Sequence, residues 1–279
     1  MDNILVTENL SKIHKSKTII DGVNLTVNRG KTYALVGEKV AGKTTLIRLL
    51  AGIILPTSGK VNKNPEIKTS FIIERAAIFP EKSVYDNMAI GCILHNTPFS
   101  HIEPTLEKTG LSEMGKKRAG KLSVEHTECL GLALSLLSTP DFLVIDEASD
   151  KMLGLLENLN TGATILTTYD KLSDNRADEY FFLHGGKIVG QATKASLDKS
   201  VRKAVKMSVS SPDAALSILR VKLNMDADVE NGYLVVPDKN LEQIKQVLNE
   251  NAVRIYKSEH FFGTYEEYFK SVIGGEENG

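Results

Sequence analysis

Apolar and polar residues alternate with period two in three runs at the start of the chain: ILVTENL (4–10), TIIDGVNLTV (18–27) and KTYALVG (31–37). This predicts three strands, with a turn at Asn28-Arg29-Gly30 before the third. The third run leads through a glycine-containing loop into KTTLIRLLAGI (43–53), where Leu46, Leu49, Leu50 and Ile53 recur at helical spacing. That helix is expected to end near Gly52, with Pro56 just beyond. Short strands are expected at 59–61 and 67–73. A mostly helical stretch follows over about 83–137, broken by Thr97-Pro98 and by the basic run GKKRAGK (115–121), read as a solvated loop. FLVI (142–145) and ATILTT (163–168) read as buried strands, and 180–183 with 187–190 as a hairpin around Gly185-Gly186. Alternating strands and helices to about residue 195 imply a mainly parallel sheet covered on both faces.

From about residue 203 the pattern resets. AVKMSVS, PDAALSILRVKL, NMDADVE, GYLVVP, KNLEQIKQVLNE, VRIYKSE and TYEEYFKSV read as β-α-β-β-α-β plus a last helix, the split βαβ order of a small α+β domain. A linker is expected near DKSVRK (198–203), and the tail GGEENG is expected to be disordered. The aromatics of this part, Tyr256, Phe261, Phe262, Tyr265, Tyr268 and Phe269, read as core or as a docking face.

Composition narrows the function classes. The chain has 279 residues, 42% hydrophobic and 25% charged, which excludes a disordered, collagen-like or disulfide-rich protein. Its net charge of −1 gives no overall electrostatic footprint for nucleic acid. Cys92 and Cys129 lie among apolar residues, as buried thiols in a reducing compartment would. The first residues, MDNILVTENLSK, lack the pattern of a secretion signal. The apolar runs MAIGCIL and LGLALSLL are too short to cross a bilayer, so service to a membrane process would come from the water side.

The chemistry begins in GEKVAGKT (37–44), which matches G-x-x-x-x-G-K-[ST] between a strand and a helix. A triphosphate needs converging backbone N–H groups, which such a loop and the following helix N-terminus supply. Gly37, Glu38, Lys39, Val40, Ala41, Gly42, Lys43, Thr44 and Thr45 are therefore the candidate ATP-binding residues. Lys43 would reach the β and γ phosphates and Thr44 would offer its hydroxyl to Mg²⁺. FLVIDE (142–147) ends a buried strand in two acids. Ligands sit at the carboxyl ends of strands in such sheets, so Asp146 would hold Mg²⁺ and Glu147 would orient or deprotonate the attacking water.

The order of these elements resembles the nucleotide-binding subunit of ABC transporters over essentially the first 195 residues. The likeness is carried by LSK (10–12), DGVNLTVNRGKTYALVG, TTLIRLLAG, LS (122–123), LGLALSLLSTPDFLVIDE and LHGGKIV (183–189). The implied fold is α/β. It comprises a P-loop ABC-type nucleotide-binding domain over 1–200, with a helical subdomain at about 83–137, and a small α+β C-terminal domain over 201–279. Glu74 stands where most such proteins carry glutamine, and with the ending TYEEYFKSV it looks like the bacitracin-resistance and lantibiotic-immunity branch. The resemblance implies Glu74 near the metal and His14 where an aromatic stacks on adenine. It also implies a cytoplasmic subunit, peripheral on the inner face of the cell membrane. Such a subunit docks on membrane-spanning permeases and works as a head-to-tail dimer around two ATP molecules.

Several positions depart from the family pattern. The signature segment L-S-G-G-[QM], which faces the ATP of the opposite subunit, reads LSVEH (122–126). A Glu125 carboxylate about 5 Å from a phosphate charge would cost roughly 3 kcal/mol per charge pair at an effective dielectric of ~20. It is equally a favourable acid in a helix's first turn. Ser123 remains a good N-cap. Tyr169 replaces the switch histidine, and Leu153 replaces an aspartate in the loop ASDKMLG (148–154). Val40 replaces a glycine, at a cost of roughly 1–2 kcal/mol if that position needs φ > 0.

Two functions follow. The first is the ATPase subunit of an exporter for a peptide antibiotic or related compound, with weak or no turnover alone and a different ATPase chain completing the site as a heterodimer. The second is a non-hydrolysing ATP-binding structural or regulatory subunit. A small-molecule kinase or GTPase would leave LGLALSLLSTPDFLVIDE and the late hairpin unexplained.

Overall fold

The computed structural model describes residues 3–73, 77–158, 162–172, 176–200, 203–225, 227–237, 239–262 and 265–274. The chain divides into two compact units, residues 1–194 with 272–279, and residues 195–271.

In the first unit, β1 (Asn3–His14), β2 (Lys17–Val23), β3 (Thr26–Asn28) and β4 (Thr32–Val36) are followed by α1 (Lys43–Leu50), β5 (Ser58–Lys63) and β6 (Thr69–Ile72). Then come α2 (Val84–Leu94), α3 (Ile102–Lys108), α4 (Val124–Leu136), β7 (Phe142–Ile145), α5 (Asp150–Asn158), β8 (Thr164–Tyr169), β9 (Glu179–His184) and β10 (Lys187–Thr193). The main sheet has the order β10-β9-β4-β8-β7-β6, parallel from β9 to β6, with β10 antiparallel at the edge.

The first two runs of the chain do not join that sheet, which corrects the single-sheet expectation. β1 pairs antiparallel with β2, β3 and β5 in a sheet of its own. The burial pattern explains the split: β7 is buried at every position, as a strand covered on both faces must be, whereas β2 is buried only at Ile20 and Val23. The expected strand 18–27 also breaks in two. Buried Thr7 bridges the break, donating its hydroxyl to the Val23 carbonyl at 3.0 Å and accepting the Leu25 N–H at 2.9 Å.

α1 buries Leu46, Ile47, Leu49 and Leu50 in the core formed with β4 and β7, where Tyr33 stacks on Phe181. The helix stops at Leu50 and Gly52 turns the chain at φ 73. Ile53 therefore leaves the apolar row and is 61% exposed, against the expectation that it shared the buried face.

The helical stretch has its own core of α2, α3 and α4, containing Met88, Cys92, Leu106, Cys129, Leu130 and Ala133. α2 and α4 start on Ser83 and Ser123, whose side-chain oxygens accept N–H groups three residues on. The helices close tightly at Gly91, where a Cβ would come 2.8 Å from the Leu137 side chain. Both cysteines are buried thiols, pushed up in pKa by burial. The basic run is exposed at Lys116, Lys117 and Arg118, and its backbone is tied to the start of α2 through Val84 N–H to Lys117 O and Ala119 N–H to Lys82 O.

The remaining elements are α6 (Lys194–Ser200), β11 (Lys203–Val209), α7 (Pro212–Leu223), β12 (Asp228–Glu230), β13 (Tyr233–Pro237), α8 (Leu241–Glu250), β14 (Ile255–Phe262) and α9 (Tyr265–Gly274). The sheet order β12-β13-β11-β14 is antiparallel throughout. Val205 and Met207 of β11 and Leu234 and Val236 of β13 pack with Ala215, Leu219, Ile244 and Leu248 of α7 and α8. Two expectations change: residues 198–200 lie in α6 instead of a linker, and β12 covers only 228–230 of NMDADVE. Of the aromatics, Phe269 is buried, Tyr265 and Tyr268 are half-buried, and Tyr256 is 67% exposed. Residues 201–202 and 275–279 lie outside the described residues.

Candidate functional site

β4 ends at Val36, and Gly37 turns the chain into the loop that carries Lys43. Two glycines make that path possible. At Gly37 a Cβ would lie 2.4 Å from the Leu183 carbonyl oxygen. Gly42, the N-cap of α1, has φ 104, and its Cβ would lie 2.9 Å from the Ile19 carbonyl. No side chain caps α1 and no acid lies in its first turn. The first-turn N–H groups therefore have no intrahelical acceptor and face a region of positive dipole potential.

Glu38, Lys39 and Val40 are exposed, Ala41 is buried, and Thr44 and Thr45 are half-buried at the start of α1. Val40 is 90% exposed and is not among the residues with positive φ, so the predicted backbone strain at this β-branched residue does not exist.

Lys43 is 4% exposed despite its charge. Its ammonium donates to the Gly37 carbonyl at 2.7 Å, the Glu38 carbonyl at 3.0 Å and Asp170 Oδ1 at 2.7 Å.

The two acids after β7 are placed by a neighbouring strand. The register pairs Ile145 with Thr167, which sets Thr168 level with Asp146. The Thr168 hydroxyl donates to Asp146 Oδ1 at 2.7 Å and accepts the Glu147 N–H at 2.8 Å. Asp146 is buried, while Glu147 is exposed and has φ 58, a left-handed backbone that a non-glycine residue rarely adopts.

Three consecutive residues thus organise the site. Thr168 holds the acids, the Tyr169 carbonyl accepts the Gly37 N–H at 3.0 Å, and Asp170 meets Lys43. Neither Thr168 nor Asp170 belongs to the motifs that mark the site in the sequence. Their signal was present, because both stand at the carboxyl end of a parallel strand beside the strand that carries Asp146.

The other candidates are less closely joined. His14 is exposed at the tip of the β1–β2 hairpin, opposite Lys17, on a two-residue turn in which Lys15 and Ser16 both have positive φ. Glu74 lies outside the described residues. Among the described residues no three His, Cys, Asp or Glu side chains cluster as a ready-made metal site. Any Mg²⁺ would take most of its ligands from phosphate and water, as this ion commonly does.

In the signature segment, the Ser123 hydroxyl shares a 2.7 Å hydrogen bond with His126 Nδ1. Val124 projects into solvent, and Glu125 forms an ion pair with Lys151 of α5 at 3.2 Å. The stretch expected as a loop at 148–154 is instead helical from Asp150, and Leu153 is buried. A cleft of about 520 Å³ opens between Ile78, Pro80, Val124 and Glu128 on one side and Asp146, Glu147 and Met152 on the other. None of residues 37–45 lines it.

Comparison with known proteins gives the family and the fold. The ABC transporter family matches residues 20–150. The lantibiotic transport ATP-binding protein SrtF of Streptococcus pyogenes is 30% identical over 204 residues, covering 67% of this chain and 89% of that protein. The bacitracin transport ATP-binding protein BcrA of Enterococcus faecalis is 28% identical over 301 aligned positions, covering 99% and 98%. The solved structure of an ATP-binding subunit of an ABC transporter superposes with a TM-score of 0.62 at 20% identity, over 70% of this chain and 92% of that one, which shows the shared fold.

Proposed function

Because the chain belongs to the ABC transporter ATP-binding family, related to bacitracin and lantibiotic transport ATPases, we propose that it binds Mg-ATP at residues 37–45 and energises export of a peptide antibiotic or related compound. Permeases would supply the membrane path, since no helix among the described residues is long and apolar enough to cross a membrane. On this reading the chain works at the cytoplasmic, inner face of the cell membrane. Residues 1–200 would form the ATPase domain and 201–279 a separate small domain.

The observation that carries the proposal is the convergence of Lys43 on Asp170 and of Asp146 and Glu147 on Thr168, two residues apart at the end of β8. The bare glycine cradle and uncapped start of α1 suit a polyphosphate. Bound Mg²⁺ would neutralise phosphate charge; Thr44 and Asp146, with Glu74, are the residues we assign to hold it. Asp146 is already oriented for that task by Thr168. Glu147, exposed at the strand end, would accept a proton from water and is the one catalytic residue assigned. His14 at the hairpin tip would stack on the base.

Turnover is expected to need a different ATPase chain. The face that would cover a second ATP carries Val124 and Glu125, and Glu125 is engaged by Lys151 of its own chain. Saturable Mg-ATP binding lost in Lys43→Ala, with no turnover by the purified chain, is the expected result. Turnover by the chain alone that disappears in Glu147→Gln would refute the need for a partner.

Two observations favour the second reading, a non-hydrolysing regulatory subunit: tyrosine at 169, and burial of Leu153 in α5 in place of a loop aspartate. It requires that no partner ATPase chain restore turnover dependent on Glu147.

A further inference from the structure

We propose that Asp170 is a positioning residue that sets nucleotide affinity: its carboxylate pairs with the Lys43 ammonium, and a phosphate group must displace it to bind. The inference rests on the reading of residues 37–45 as a phosphate loop.

The Lys43 ammonium has three N–H groups and three oxygens hold them: two loop carbonyls, of Gly37 and Glu38, and Asp170 Oδ1. No donor is left for a ligand. The two carbonyls belong to the loop and travel with it, whereas Asp170 comes from the chain just beyond β8, so it is the exchangeable partner. An ammonium as buried as Lys43 needs a countercharge, because taking it out of water unpaired is costly. The nearby acids do not fill that need. Asp146 is held by Thr168, and the Glu147 side chain is exposed. Asp170 is half-buried and can turn outward when a phosphate oxygen arrives.

The backbone bond from Gly37 N–H to the Tyr169 carbonyl would remain as the ion pair opens. Residue 170 would then be released while residue 169 stays fixed. A triphosphate therefore competes with an anion built into the protein, and its apparent affinity is reduced by the fraction of Lys43 left unpaired.

The test is calorimetric titration of Mg-ATP and Mg-ADP into the full chain and its Asp170→Asn, Asp170→Glu, Lys43→Ala and Asp170→Asn/Lys43→Ala variants, with melting temperatures of each. Asp170→Asn is expected to lower the Kd for Mg-ATP on the order of tenfold, the scale on which a charge-assisted hydrogen bond competes. Asp170→Glu is expected to restore wild-type affinity, and the double variant to lose the gain. Asp170→Ser removes the same charge and is expected to give the same gain, so the test does not hang on one variant's folding. A merely structural role for Asp170 would lower the melting temperature without tightening nucleotide binding. Unchanged or weaker binding by the folded Asn and Ser variants, with wild-type binding still lost in Lys43→Ala, overturns this proposal and leaves the ATP-binding reading standing. Binding that survives in Lys43→Ala, or no binding by any variant, overturns both.

Discussion

The hydroxyl of Thr168 lies 2.7 Å from Asp146 Oδ1 and donates to it, although the two residues are 22 positions apart. The same oxygen accepts the N–H of Glu147, so one side chain fixes both acids of the site. Thr168→Val keeps the shape and removes both bonds, leaving a buried carboxylate and an N–H each without this partner. The expected cost is about 1–3 kcal/mol in urea unfolding, together with a loss of Mg-ATP affinity that exceeds the loss for metal-free ATP. Thr167→Val is the control: among the described residues its hydroxyl reaches only the Tyr33 carbonyl, at 3.5 Å, and little change is expected. Equal effects of the two substitutions would count against the role of Thr168.

Val40 bears on the loop in the opposite sense. With its side chain in solvent and no positive φ, Val40→Gly relieves nothing. The expected result is unchanged Mg-ATP affinity and a small loss of stability, on the order of 0.5 kcal/mol, because glycine enlarges the conformational freedom of the unfolded chain. A gain in stability would restore the idea of a strained loop.

Glycine at the signature face is expected to act differently. Val124→Gly with Glu125→Gly removes the charge and bulk that, on the proposed function, would keep the face from a second phosphate group, and also breaks the Glu125–Lys151 pair. That pair is exposed and contributes at most about 1 kcal/mol, and two glycines at a helix start add up to about 2 kcal/mol of destabilisation. Despite the lower stability, ATP turnover by the chain alone is expected to rise at high protein concentration. Turnover that stays at the wild-type level would place the block elsewhere, with Tyr169 or Leu153 as the next positions to change.

Acid stability should report on Asp141. The Lys68 backbone N–H at 3.0 Å, and then the Arg29 guanidinium at 3.0 Å, hold its carboxyl below the usual carboxylate range. A carboxyl whose pKa is depressed by folding contributes stability that is present above the unfolded value, near 3.9, and is lost as pH falls through the folded value. Asp141→Asn is therefore expected to lower stability at neutral pH and to lose less than the wild type between about pH 5 and about pH 3. Parallel stability curves for the two proteins in urea melts over that range would contradict this.

Much of the molecule was legible in local patterns, because local patterns report what each segment must bury. The run FLVI had to be covered on both faces, and serines 83 and 123 had to begin helices. The order of elements after residue 203 likewise determined the small domain's sheet and its two covering helices. The short apolar runs were legible as elements but not as neighbours. Nothing in the spacing of β1, β2 and β4 says that the first two turn away into a second sheet, since partner choice depends on which faces the rest of the chain leaves uncovered. Helix ends were decided the same way, as Ile53 and Leu153 illustrate: one fits a periodic row and is exposed, the other breaks a loop motif and is buried. The site divides along this line. The sequence alone singles out Lys43, Asp146 and Glu147 as the candidates we propose for the chemistry, because their types and spacing match what phosphate and water require. Only the tertiary structure decided that Thr168 holds Asp146 and Glu147 and that Asp170 meets Lys43, because strand register brings residues 22 and 127 positions apart to hydrogen-bonding distance and no local pattern encodes that register.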